Sequence, residues 1–80
     1  MAISSAVVEI RNGSGETVLN SLARIENVSV FGIKDNQIVA VIEDKDIWGI
    51  QDTMKKIYGI ESVVGVYPVY AGYQDEQEAG

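Results

Sequence analysis

The spacing of hydrophobic residues changes along the chain, and each spacing predicts a different element. Residues 2–10 are rich in β-branched side chains and predict a strand that ends at the turn sequence RNGSGE. From Ser14, a suitable N-cap residue, the spacing becomes that of a helix. Val18, Leu22 and Ile25 then recur on one helical face. The chain therefore begins with a strand followed by a helix.

Two further apolar runs, residues 27–34 and 37–43, are separated by Asp35 and Asn36. Both of these residues tolerate positive φ, so the pair is typical of the tight turn of a hairpin. We therefore expect the second and third strands to be joined directly.

A second helix follows the hairpin, with Asp44 or Asp46 as its N-cap and Gly59 just after its last turn. Its predicted apolar stripe comprises Ile47, Ile50, Met54, Ile57 and Tyr58. Trp48 falls outside this stripe and is expected at the edge of the core. The run VVGVYPVY, residues 63–70, predicts the last strand.

The order β-α-β-β-α-β is that of the ferredoxin-like fold of the α+β class. We expect a four-stranded antiparallel sheet with two helices on one face, and the first and third strands in its centre, parallel to one another. Pro68 favours an edge position for the last strand. Residues 1–70 are predicted as one domain, and residues 71–80 as an acidic, disordered tail.

One face of this sheet carries the helices, and the other, the open face, does not. Strand alternation predicts that six residues face the helices: Ala6, Val8, Ile10, Ile38, Ala40 and Ile42. It predicts that six others lie on the open face: Ser5, Val7, Glu9, Val39, Val41 and Glu43. In the last strand the open face takes either Val63, Gly65, Tyr67 and Val69, or Val64, Val66, Pro68 and Tyr70. Because three strands expose apolar groups there, the pattern predicts a contact surface.

The absence of cysteine and histidine removes disulfides, thiolate chemistry, common zinc ligands and the usual general base. Glu43, Asp44 and Asp46 lack the spacing of a calcium-binding loop and fit helix capping instead. The turn at residues 12–17 lacks the Lys-Ser/Thr pair of a phosphate-binding loop. The sequence therefore predicts no enzyme, no metal site and no cofactor.

Twelve acidic and six basic residues give a net charge of −6, which repels nucleic acid and attracts a basic partner. RNA binding on the open face would also require stacking aromatics where the central strands have valines. The longest apolar run, residues 38–42, is too short to span a bilayer, and the amino terminus does not resemble a secretion signal. We therefore expect a cytoplasmic protein without membrane insertion.

The segments SSAVVEI, LNSLARI, VSVFGI, QIVAVIEDKD and GIESVVGVYPVYAGYQDEQE resemble the NapD family of assembly chaperones for periplasmic nitrate reductase. The resemblance covers residues 3 to about 70 and continues into the acidic tail. It departs at Glu26 and Asn27, where the family often has Pro-Gly.

The resemblance implies a ferredoxin-like chaperone for the molybdenum-containing catalytic subunit of nitrate reductase. Such a chaperone binds the subunit's twin-arginine signal peptide and delays export until the cofactor is inserted. A peptide that is basic at one end and apolar along its length suits the open face. We expect apolar contact from Val7, Val39, Val41 and Tyr67, and attraction of the arginines by Glu9 and Glu43. Two alternatives stay open: an ACT-like domain that binds a small ligand, and a module that forms a homodimer.

Overall fold

The computed structural model describes residues 1–73 of the chain. Its elements are β1 (Ala2–Ile10), α1 (Gly15–Ala23), β2 (Val28–Lys34), β3 (Gln37–Asp44), α2 (Ile47–Tyr58) and β4 (Val63–Tyr73). The strands form one sheet in the order β2-β3-β1-β4, and every neighbouring pair is antiparallel. The ferredoxin-like α+β fold predicted from the sequence is confirmed.

The expected parallel pairing of the two central strands is wrong. β1 and β3 are antiparallel neighbours, as Val7 opposite Val39 shows. The crossover through α1 makes β1 parallel to β2, and the hairpin then reverses the chain into β3. β3 thus lies between β2 and β1 and is antiparallel to both.

The core lies between the sheet and the two helices, and strand alternation identified its sheet side correctly. All six strand residues predicted to face the helices are buried. The largest fully buried side chains of the core are Leu22, Ile38, Ile42, Ile57, Val8 and Val18. Full burial of one such side chain contributes about 1.5–3 kcal/mol, so each position is sensitive to substitution.

The two helices begin in different ways. Asp46 caps α2, since its carboxylate accepts a hydrogen bond of 2.9 Å from the backbone N–H of Gly49. Ser14 occupies the N-cap position of α1, but its hydroxyl donates to the carbonyl of Arg11 at 2.7 Å and makes no capping bond. Only the second helix therefore has a side-chain cap.

The buried strip of α2 is narrower than the sequence suggested. It consists of Ile50, Thr53 and Ile57, while Ile47 and Tyr58 are exposed. Trp48 is 66% exposed, so the expectation that it lies at the edge of the core is wrong. A strip centred on these three buried positions places residue 48 on the opposite side of the helix.

A polar cluster explains how Thr53 can be buried. Its hydroxyl donates to the carbonyl of Gly49 at 2.9 Å and accepts from the side-chain amide of Asn27 at 2.9 Å. The same amide donates to the carboxylate of Asp44 at 3.3 Å, and the backbone N–H of Lys45 donates to that carboxylate at 2.7 Å. Asn27 thus links the start of β2 to the end of β3 and to α2.

The last strand runs to Tyr73, past the domain boundary expected at residue 70. The rest of the predicted tail, residues 74–80, lies outside the described residues. Within residues 1–73, no helix has the length and apolar character needed to cross a membrane.

Candidate functional site

The centre of the open face is a row of residues that crosses the strands. Val7 pairs with Val39 on β3 and with Tyr67 on β4. In the next row Ser5 pairs with Val41. Val39 is 42% exposed and Tyr67 is 53% exposed, while Val7 and Val41 are half-buried. All four predicted apolar contact residues therefore lie close together on one accessible surface.

The face presented by β4 could not be chosen from the sequence, and the register resolves it. Gly65 and Tyr67 lie opposite Glu9 and Val7 on the open face, whereas Val63 lies opposite the buried Ile10. Two register shifts interrupt the pairing, so neither regular alternation holds along the whole strand. Because each irregularity inserts an unpaired residue, apolar side chains change face along β4.

The ring of Tyr67 covers Gly65. A Cβ atom at position 65 would lie 2.5–2.7 Å from the phenol oxygen and two ring carbons of Tyr67. The ring therefore leans along β4 toward Glu9, the partner of Gly65 across the strand pair. An aromatic ring over a glycine of an edge strand replaces the packing that the glycine lacks.

The two carboxylates predicted to attract arginines lie at opposite ends of the open face. Glu9 pairs with Gln37 at the start of β3, and Glu43 pairs with Ile3 near its end. Positions 37 and 43 of one strand are about 20 Å apart at ~3.4 Å per residue. A pair of adjacent arginines therefore cannot contact both carboxylates at once.

An open hollow of about 440 Å³ adjoins the Glu9 end of the face. Its lining consists of Glu9, Ile10, Asp35, Asn36, Gln37 and Val64. The turn between β2 and β3 supplies two of these residues, and Asp35 adopts a positive φ of 55° in that turn. Two carboxylates and two side-chain amides give this end many hydrogen-bond acceptors.

Sequence reasoning missed Phe31, which is 74% exposed at the β2 edge of the sheet. Val30 pairs with Ala40 and Gly32 pairs with Val39, so Phe31 is the extra residue at a register shift. Alternation from Val30, which lies opposite a buried residue, directs Phe31 toward the open face. A Phe-Gly pair inside a strand is a signal for such a bulge, and it could have identified this residue.

The open face combines apolar and acidic side chains. Its described residues offer apolar side chains in the middle and carboxylates at the two ends. Among residues 1–73 no group of three acidic, histidine or cysteine side chains is arranged to hold a metal ion.

Comparison with known proteins agrees with the fold. No curated protein matches the chain. The solution structure of the E. coli Tat proofreading chaperone protein NapD matches with a TM-score of 0.80 and 23% sequence identity. That match covers 94% of this chain and 80% of the other. A model of the NapD protein family matches residues 1–76, which is nearly the whole chain. The chain therefore belongs to the NapD protein family.

Proposed function

We propose that the protein is a non-enzymatic cytoplasmic chaperone for a molybdenum-containing nitrate reductase catalytic subunit. It binds the twin-arginine signal peptide of that subunit on the open face and delays export until the cofactor is inserted. Family membership supports a chaperone role, as does the shared fold with a protein described as a Tat proofreading chaperone. The observation that carries the proposal is the apolar row on a sheet face that the protein's own helices leave uncovered.

The apolar row has the size and shape for a peptide. It extends from Phe31 on one edge through Val39 and Val7 to Tyr67 on the other edge. Four strands spaced by about 4.8 Å make this surface roughly 15 Å wide. An apolar peptide segment lying over it buries side chains that water now reaches, which supplies the main driving force for binding.

The arginines of the peptide bind at the Glu9 end. There Glu9 and Asp35 both line the hollow, together with the amides of Asn36 and Gln37. A guanidinium group has five N–H donors, and several acceptors converging from different strands satisfy more of them than one carboxylate can. At the other end Glu43 is exposed, and its neighbour Asp44 is already hydrogen-bonded within the polar cluster. Glu43 therefore attracts the basic peptide over a longer range.

Calorimetric titration with a synthetic signal peptide tests the face. Val41→Asp places a charge in the apolar surface and should weaken binding by at least tenfold, since an apolar peptide segment would have to desolvate the carboxylate. Thr17→Asp adds the same charge on the exposed side of α1 and should leave affinity unchanged. Circular dichroism should show that both variants keep the native fold. Wild-type affinity in Val41→Asp would contradict the proposed face, and unfolding of this variant would show that Val41 is a core residue.

A matched pair of substitutions tests the orientation of the peptide. Glu9→Gln and Glu43→Gln remove the same charge from opposite ends of the open face. Glu9→Gln should raise Kd about 5- to 30-fold, as expected for loss of one charge-assisted hydrogen bond worth ~1–2 kcal/mol. Glu43→Gln should have a smaller effect that disappears at high salt. A larger loss in Glu43→Gln would place the arginines at the opposite end.

The exposed edge of β2 favours self-association as a second candidate function. Phe31 and Ile33 are both exposed there, and edge strands can pair with another copy. Sedimentation at several protein concentrations measures this directly. A stable dimer that does not bind the signal peptide would replace the chaperone proposal.

A further inference from the structure

Glu9 and Tyr67 are neighbours on the open face, although they belong to different strands. Glu9 of β1 lies directly opposite Gly65 of β4, and Tyr67 follows two residues later on β4. Opposite residues of an antiparallel pair have Cα atoms about 4.5–5.5 Å apart. Because the ring of Tyr67 lies over Gly65, it takes the place beside Glu9 that a side chain at position 65 would occupy. A carboxylate and an aromatic ring therefore border the same small area of the surface.

The ring of Tyr67 is packed on one side and open on the other. Gly65 is buried although it lies on a sheet face that carries no helix, and the side-chain atoms nearest to it are those of this ring. The ring itself is 53% exposed, so its outer side faces solvent. A ring that already packs against the backbone loses little freedom when a ligand covers its outer side. Packing on Gly65 thus leaves one side of the ring ready for a ligand.

The carboxylate of Glu9 is half-buried and has no cation beside it. Within residues 1–73 no hydrogen bond or ion pair engages this side chain. Its neighbours across the two strand pairs are Gln37 and Gly65, neither of which carries a charge. A carboxylate that has lost part of its water gains free energy when a cation that donates hydrogen bonds lies next to it. Glu9 is therefore suited to a cationic ligand.

The combination of ring and carboxylate favours a guanidinium group over an ammonium group. A guanidinium group is planar, so that one edge donates two parallel N–H bonds to a carboxylate while its face stacks on an aromatic ring. An ammonium group is a compact, strongly hydrated charge that forms no planar bidentate pair. The carboxylate of Glu9 alone would attract either cation, whereas the ring of Tyr67 beside it distinguishes between them.

We propose that Glu9 and Tyr67 form an arginine clamp, which makes this end of the open face specific for arginine over lysine. The inference rests on the proposed function, because the ligand is one of the two arginines of the bound signal peptide. Its guanidinium plane lies on the outer side of the Tyr67 ring, and its N–H edge points to the Glu9 carboxylate. Gly65 belongs to the clamp, since a side chain there would displace the ring. The other arginine is left for the acceptors of the hollow, among them Asp35.

Calorimetric titration with two synthetic peptides tests the clamp: a twin-arginine signal peptide, and the same peptide with both arginines replaced by lysine. Wild type should bind the lysine peptide about tenfold more weakly, because stacking and a bidentate pair are lost. In Tyr67→Leu, which keeps an apolar side chain, the ratio of the two affinities should fall to about threefold. Tyr67→Phe keeps the ring and should keep the wild-type ratio. The matched control Phe31→Leu removes an exposed ring at the opposite edge of the sheet and should also keep it.

Gly65→Ala provides an independent variant, because it moves the ring away from Glu9 without removing it. Its affinity ratio should fall as in Tyr67→Leu, so the test holds even if circular dichroism shows that Tyr67→Leu does not fold. Equal affinity of wild type for the two peptides would overturn the clamp while the proposed function stands. A tenfold ratio that persists without the ring beside Glu9 would also overturn it. If neither peptide bound wild type, the clamp and the proposed function would both be wrong.

Discussion

Replacing Gly65 by alanine should change the shape of the open face without unfolding the protein. The new methyl group would occupy the position taken by the ring of Tyr67, since a Cβ there comes within 2.7 Å of three of its atoms. Those atoms are at the far end of a side chain that is 53% exposed, so the ring can swing away into solvent. The three atoms nearest to the new methyl group all belong to this side chain and none to the backbone.

The expected effects on stability and on binding differ in size. Alanine gains roughly 0.5–1 kcal/mol over glycine in a strand, which offsets the lost contact between ring and backbone. The free energy of unfolding should therefore change by less than about 1 kcal/mol. For binding, about half of a tyrosine surface of roughly 200 Å² is free for a ligand. At ~25 cal/mol per Å² its full burial would contribute about 2.5 kcal/mol, and partial coverage by a peptide contributes about 1–2 kcal/mol. Displacement of the ring should thus raise Kd about 5- to 30-fold.

Calorimetric titration of the signal peptide into three variants measures this effect. Gly65→Ala and Tyr67→Ala should lose affinity to a similar extent, while Tyr67→Phe keeps the ring and should bind nearly as wild type. Denaturant unfolding of each variant provides the stability comparison. If Gly65→Ala binds the peptide like wild type although the ring resonances of Tyr67 have moved, Tyr67 is not a contact residue. If Gly65→Ala unfolds, the ring of Tyr67 is not free to move aside.

Three further predictions concern the scaffold and can be checked by thermal and denaturant unfolding. Asn27→Ala removes the amide that joins Asp44 to Thr53 and should lower the free energy of unfolding by about 1–2 kcal/mol, or Tm by about 5–15 °C. The control Asn12→Ala, in an exposed turn, should have little effect. Equal losses of stability in the two variants would show that the polar cluster adds no stability. Asp46→Ala removes the cap of α2 and should lower the free energy of unfolding by about 1 kcal/mol. The control Asp52→Ala, within the same helix, should leave the free energy of unfolding unchanged. An Asp46→Ala protein as stable as wild type would mean that the cap is dispensable. Ile42→Asp buries an unpaired carboxylate in the core, which costs several kcal/mol against a total stability of about 4–12 kcal/mol. This variant should therefore unfold, while Val41→Asp at the neighbouring position should stay folded. A folded Ile42→Asp protein would contradict the assignment of the two sheet faces.

Strand alternation predicted the sheet well because the two central strands pair regularly along their whole length. β1 buries every second residue from Ala2 to Ile10, and β3 buries Ile38, Ala40 and Ile42. A shift by one residue would bring Glu9 or Glu43 into the core, so the hydrophobic pattern permits a single register. The same pattern placed Val7, Val39 and Val41 on the open face.

The edge strands and α2 could not be predicted in the same way. Register shifts interrupt β2 and β4, so the regular alternation that placed the residues of the central strands does not hold along these two strands. In α2 the buried position of Thr53 depends on a donor from Asn27, which is distant in sequence. Without that partner, hydrophobicity alone selects Ile47 and Tyr58 as core residues and misplaces Trp48.

Methyl NMR during peptide titration shows whether a twin-arginine signal peptide binds the open face. Valine methyl groups lie on both sides of the sheet, with Val7, Val39 and Val41 on the open face and Val8 and Val18 in the core. Binding on the open face should shift the open-face methyls progressively, with smaller changes in the core and in α1. No methyl shift at high micromolar peptide, or shifts confined to the helices, would contradict it.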